Sequence, residues 1–151
     1  MKTATQLKNN VLTTLVLFVL SITLGFAQSE ATTTIEGQTI TVTIDKVKNN
    51  TGQVMFALHT KDTWMKGQGV QNVSTKIENN TVTVTFKNVK PGTYAVMALH
   101  DENENNSMDF ENGMPKENYG MSNNPMSFGP PQFEDAKFEV TTEDLDFNIR
   151  F

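Results

Sequence analysis

Thr93-Tyr94-Ala95-Val96-Met97-Ala98-Leu99-His100 is apolar at successive positions, and therefore on both faces of an extended chain. Side chains alternate across a strand, so such a composition suits a strand covered on both sides. Gln53 to His59, through Val54-Met55-Phe56-Ala57-Leu58, has the same character, and the two segments predict a pair of central strands. Around them the period is two. Ile40, Val42 and Ile44 alternate with Thr39, Thr41, Thr43 and Asp45, and Val82, Val84 and Phe86 alternate with threonines. Leu145, Phe147, Ile149 and Phe151 repeat the pattern at the end of the chain. Each of these predicts a half-buried strand. Val73 to Ile77 predicts an edge strand, and Phe133 to Val140 predicts one more.

Seven short strands and no helix predict an all-β fold. A two-sheet antiparallel sandwich of the transthyretin-like or immunoglobulin-like kind accommodates two central strands among alternating ones. The turn Val89-x-Pro91-Gly92-x-Tyr94 fits the way such domains lead into a strand. The rival is a small outer-membrane barrel, suggested by the alternation that ends at Phe151. Barrel strands run to about 9–11 residues with aromatic girdles, whereas this chain has one Trp and two Tyr. Residues 61–69, around Trp64, predict an irregular crossing loop. Residues 101–131 have no period; Phe110, Tyr119, Phe128 and several Met within them predict one long ordered loop.

The first 27 residues predict a secretory signal peptide. Lys2 and Lys8 precede an apolar run from Val11 to Leu20, and Gly25-Phe26-Ala27 offers small residues at the positions read by the peptidase. The run is shorter than the roughly 20 residues of a membrane span. Residues 28–37, polar and Thr-rich, predict a lead-in, and residues 38–151 a single β-sandwich domain. Cleavage leaves 17 acids against 10 bases, a net charge of −7, with no cysteine. An acidic surface disfavours nucleic acid and anionic membranes and suits a divalent cation. The expected location is the periplasm or the cell exterior.

One segment suggests chemistry. In His100-Asp101-Glu102-Asn103-Glu104-Asn105-Asn106-Ser107-Met108-Asp109, the residues Asp101, Asn103, Asn105, Ser107 and Asp109 occupy positions 1, 3, 5, 7 and 9 of a calcium loop. Asp101 and Asp109 would be charged ligands, Asn103 and Asn105 neutral ones, and Ser107 a backbone ligand. Position 12 is Asn112 where a bidentate Glu is usual, and no helices flank the loop. A Ca²⁺ bound there would have an extracellular-type affinity of about 10⁻⁴ to 10⁻³ M. The alternative is a metal-free surface loop built from Asx turns.

This segment also carries a resemblance. Gly92-Thr93-Tyr94-Ala95-Val96, His100-Asp101-Glu102-Asn103, Asp109 and Gly113-Met114-Pro115-Lys116-Glu117-x-Tyr119-Gly120-x-Ser122-Asn123-Asn124 resemble the bacterial domain-of-unknown-function family 2141. These are small exported proteins with no established activity. Asn105-Asn106 and Glu117-Asn118 stand where the family pattern has Asn-Gly and Glu-Gly; Asn tolerates the same turn conformations. The resemblance implies a secreted β-sandwich whose two loop halves pack together, and says nothing about substrate.

Other chemistry is less well supported. His59 and His100 end the two central strands and invite a transition-metal pair. Met97, Met108, Met114, Met121 and Met126 invite copper(I), although their irregular spacing fits packing better. The expected function is an exported, non-enzymatic binding or accessory domain with an unknown protein or glycan partner. Its rival is a secreted hydrolase or carbohydrate-active enzyme with Glu102, Glu104 and Glu117 converging beside His100.

Overall fold

The threonine-spaced segment at the start of the described chain forms β1 (Gln38–Ile44), and Ile40, Val42 and Ile44 bury one face of it completely or nearly so. The computed structural model describes residues 37–126 and 129–151. The signal peptide and most of the lead-in expected before residue 38 lie outside the described residues, as does Phe128.

β2 (Gln53–His59), β3 (Gln71–Thr75), β4 (Val82–Val89) and β5 (Gly92–Asp101) follow. Next come the two-residue strands β6 (Phe110–Glu111) and β7 (Met114–Pro115), then β8 (Tyr119–Met121). One helical turn, α1 (Phe133–Ala136), precedes β9 (Phe138–Val140) and β10 (Leu145–Asn148). One sheet runs β10-β1-β4, and a second runs β3-β2-β5-β8 with β9 also paired to β5. The fold is all-β, and its sheets are open rather than closed into a barrel.

The two central strands are where the sequence places them: β2 lies between β3 and β5, and β5 between β2 and β8. β2 and β5 share one core, and β5 alone enters a second through its other face. Val54, Phe56, Leu58, Val96 and Ala98 pack with Ile40, Val42, Val84 and Phe86 of the other sheet. Each fully buried aliphatic or Phe side chain here contributes about 1.5–3 kcal/mol by leaving water. The opposite face of β5 packs Ala95 and Met97 against Trp64, Met121, Phe133 and Ala136.

That second cluster explains one departure from the sequence-based expectation. Phe133 to Val140 is not a single strand: Phe133 and Ala136 both turn into the cluster, and a spacing of three requires a helical turn. Only Phe138–Val140 is extended, pairing with Gly92–Tyr94. A second departure concerns direction. β1 pairs antiparallel with β4, as expected, but parallel with β10, Ile40 facing Leu145 and Val42 facing Phe147. A third is that residues 101–131 are not all loop: β6 and β7 form a small hairpin and β8 joins the second sheet.

His59 lies against the second cluster, edge-on to Trp64 with ring centroids 5.6 Å apart. Its Nδ1–H donates to the Thr63 carbonyl at 3.1 Å. Burial lowers its pKa from the ordinary value, and the Thr63 bond only partly opposes this. As pH falls through the ordinary histidine range near 6.5, the unfolded chain therefore takes up the proton first. This contribution to stability is whole above that pH and declines below it. The melting temperature should fall between pH 7.5 and pH 5, and His59→Gln should fall less over the same interval; equal slopes would refute the assignment.

Candidate functional site

β5 ends in two fully buried polar residues, His100 and Asp101. They meet the 101–109 loop beneath the turn that leads into β2. Gly52 makes that approach possible: its φ is +74°, and a Cβ there would lie 2.1 Å from the Asp101 carbonyl oxygen.

Asp101 anchors the loop. Its Oδ1 accepts from the Asn105 N–H at 3.1 Å, and its Oδ2 accepts from the Asn106 N–H at 2.9 Å. Gln53, its register partner on β2, donates Nε2 to Oδ2 at 3.0 Å. The next acceptors are the Asn side chains. Asn103 Oδ1 accepts from the Asn105 N–H at 3.0 Å, and Asn105 Oδ1 from the Ser107 N–H at 2.9 Å. These are Asx turns. Glu104 and Asn106 take positive φ, 60° and 62°, so the backbone winds tightly. Both amides also reach Asp109, Asn103 Nδ2 donating to Oδ2 at 2.6 Å and Asn105 Nδ2 to Oδ1 at 3.0 Å.

Glu117 ties the second half of the segment to the first. Buried to 7% exposure, it accepts from the Glu102 N–H at 2.9 Å and from the Asp109 N–H at 3.2 Å. The two halves therefore pack as the resemblance implies. Farther along, the Ser122 Oγ accepts from the Val96 N–H at 3.0 Å and donates to the Ala136 carbonyl at 2.5 Å, joining β5 to α1. Asn123 Nδ2 donates to the Asp135 and Lys137 carbonyls.

His100 Nε2–H donates to the Thr51 carbonyl at 2.8 Å, and its ring stacks on Phe151 with centroids 6.2 Å apart. Nδ1 has no hydrogen-bond partner and lies 3.9 Å from Glu102 Oε1. Glu102 is also 3.9 Å from Lys48 Nζ and accepts from Asn49 Nδ2 at 3.4 Å.

Of the sequence-predicted ligands, Asn103 and Asn105 converge on Asp109 through their amides, while Asp101 accepts from the backbone N–H groups of Asn105 and Asn106 and Ser107 donates its N–H to Asn105. Asp101 and Asp109 bring the carboxylates, Asn103 and Asn105 the amides. Among the described residues, no three His, Cys, Asp or Glu side chains gather as a metal-binding group. The histidine pair does not form. In the antiparallel β2–β5 ladder His59 faces Ala95 and His100 faces Val54, at opposite ends of the register. Antiparallel neighbours end at opposite edges of a sheet, so residues closing both strands cannot meet. The methionines do not gather either: Met97 and Met121 are packed as register partners, while Met114 and Met126 are exposed.

The three glutamates of the hydrolase alternative are engaged separately. Glu117 is held by two backbone N–H groups, Glu104 pairs with Lys76, and Glu102 with Lys48 and Asn49. Gln53 and Glu117 are the residues that sequence reasoning did not single out as anchors. Gln53 owes its role to the antiparallel register that sets it opposite Asp101.

Over residues 42–148 the sequence matches the family DUF2141, described as "Uncharacterized protein conserved in bacteria". The chain belongs to DUF2141. No curated protein and no solved structure matches it. The DUF2141 match runs from within β1 to the end of β10 and takes in the 101–109 loop, Glu117 and the Ser122–Asn124 tie. Among the described residues of this DUF2141 member, no helix is long and apolar enough to cross a membrane.

Proposed function

We propose that this chain is an exported, non-enzymatic binding or accessory domain, a two-sheet sandwich of the immunoglobulin-like or transthyretin-like kind whose 101–109 loop takes a calcium ion. Supporting the sandwich is the single apolar core shared by β1, β4, β2 and β5. Supporting export is the basic, apolar and small-residue order of the first 27 residues.

The observation that carries the calcium reading is the convergence of both Asn amides on the Asp109 carboxylate, over a turn anchored by buried Asp101. Two amide donors stand against the carboxylate where a cation would be attracted. Asn103 and Asn105 Oδ1 each accept one backbone N–H, and an amide oxygen has a second lone pair for a cation. The loop is prewound by Asp101, so binding requires little reordering. A non-catalytic role is favoured because Asp101 and Glu117 are committed to holding backbone N–H groups.

Ten-fold excess calcium over its dissociation constant stabilises a native state by about 1.4 kcal/mol. In a domain of this size that raises the melting temperature by roughly 5 °C. The wild type should show this rise in ~10 mM Ca²⁺ relative to chelator, given millimolar affinity, and Asp109→Ala should not. A wild-type transition unmoved by calcium would end the metal assignment.

A further inference from the structure

We propose a second, independent site: a groove at the end of the second sheet that binds a peptide through an apolar side chain and a carboxylate. The hollow measures about 340 Å³, and Tyr119, Met121, Pro125, Met126, Arg150 and Phe151 line it. That volume lies within the range of small-ligand pockets and holds about one peptide side chain with its flanking backbone.

Arg150 is the single arginine of an acidic chain. Among the described residues the lysine–carboxylate ion pairs are Lys48 with Glu102, Lys61 and Lys137 with Glu134, and Lys76 with Glu104. The Arg150 guanidinium enters none of them. An unpaired guanidinium offers a planar fork matched to a carboxylate. The second hollow that Arg150 lines, about 270 Å³, also carries Asp45 and Lys46. Opposed charges there make it the poorer anion site.

The backbone beneath the groove is fixed. Arg150 N–H donates to Asn124 Oδ1 at 2.7 Å, and Asn124 Nδ2 donates to the Asn148 carbonyl at 2.8 Å. A Cβ on Gly120 would fall 2.3 Å from the Arg150 carbonyl oxygen, so β8 and the final residues are in close contact. Met126 is 97% exposed at the groove. An exposed, unbranched thioether beside Pro and aromatic rings adapts to apolar side chains of varied shape. A peptide supplies both the apolar group and the acid, whereas an acidic glycan supplies the acid without an aliphatic group for Met126.

The test titrates the purified protein, in chelator so that the calcium loop plays no part, with N-acetyl-Phe-Glu-amide and N-acetyl-Phe-Gln-amide, followed by NMR. The Glu peptide should saturate and shift the Tyr119, Arg150 and Phe151 signals, binding about tenfold more tightly than its Gln counterpart. Arg150→Gln should remove that difference. Only its backbone N–H holds the fold, so its melting should match the wild type. Met126→Ser should weaken both peptides alike. Equal binding of the two peptides, an Arg150→Gln protein that still discriminates, or binding of trigalacturonate but neither peptide would overturn the proposal.

Discussion

Asp101→Ala should cost about 3–4 kcal/mol of stability, the largest loss of any substitution in the loop. Three donors converge on this fully buried carboxylate: the N–H groups of Asn105 and Asn106 and the Nε2 of Gln53. Hydrogen bonds to a charged acceptor are worth about 1.5–3 kcal/mol each, and buried donors left without partners cost about 1–3 kcal/mol. The effects are not additive, because water enters the space and the loop relaxes. Asp101→Asn keeps the shape and one acceptor oxygen, and should cost about half as much. Urea denaturation measures both. If the alanine variant loses less than about 1 kcal/mol, Asp101 does not anchor the loop.

Gly52→Ala should be nearly as damaging, at about 3 kcal/mol. Two effects combine. The left-handed φ of +74° costs a non-glycine residue about 1–2 kcal/mol. The new methyl would also lie 2.1 Å from the Asp101 carbonyl oxygen and 2.7 Å from the Glu102 Cα, both backbone atoms that cannot rotate away. Overpacking of that sort adds about 1–3 kcal/mol. Gly113→Ala separates the two effects: its φ is +79° but nothing lies within 4 Å of its Cβ position. It should show only the smaller, conformational part. Equal losses in the two variants would show that the close approach at Gly52 is not what makes it necessary.

The parts of this fold legible in the sequence are those where burial alone sets the pattern. β2 and β5 could be identified as central because each is apolar at successive positions, and β1 and β4 as half-buried because threonine alternates with aliphatic residues. The Asx turns of the loop were legible for a related reason: Asn at alternate positions of a tight turn caps the backbone N–H two residues on, as Asn103 and Asn105 do.

What stayed hidden depends on partners distant in sequence. Phe133–Ala136 is too short for a helical period to register, and its shape follows from a cluster centred on Trp64. β8 is three residues long and contains Gly120, so it looks like loop until β5 is there to pair with it. Spacing along the chain also does not show that the ends of β2 and β5 point apart, which is what separates the two histidines.

The parallel pairing of β1 with β10 has a consequence for how the molecule is completed. Ile40 has its neighbour at Leu145, so the first strand of the described fold must wait for a segment far along the chain. Contacts between such distant positions form slowly, because a long loop must close before they stabilise anything. Until then one edge of β1 is unpaired, and the first sheet is left with the single pairing to β4. The first sheet is complete only once Leu145–Asn148 has docked beside β1.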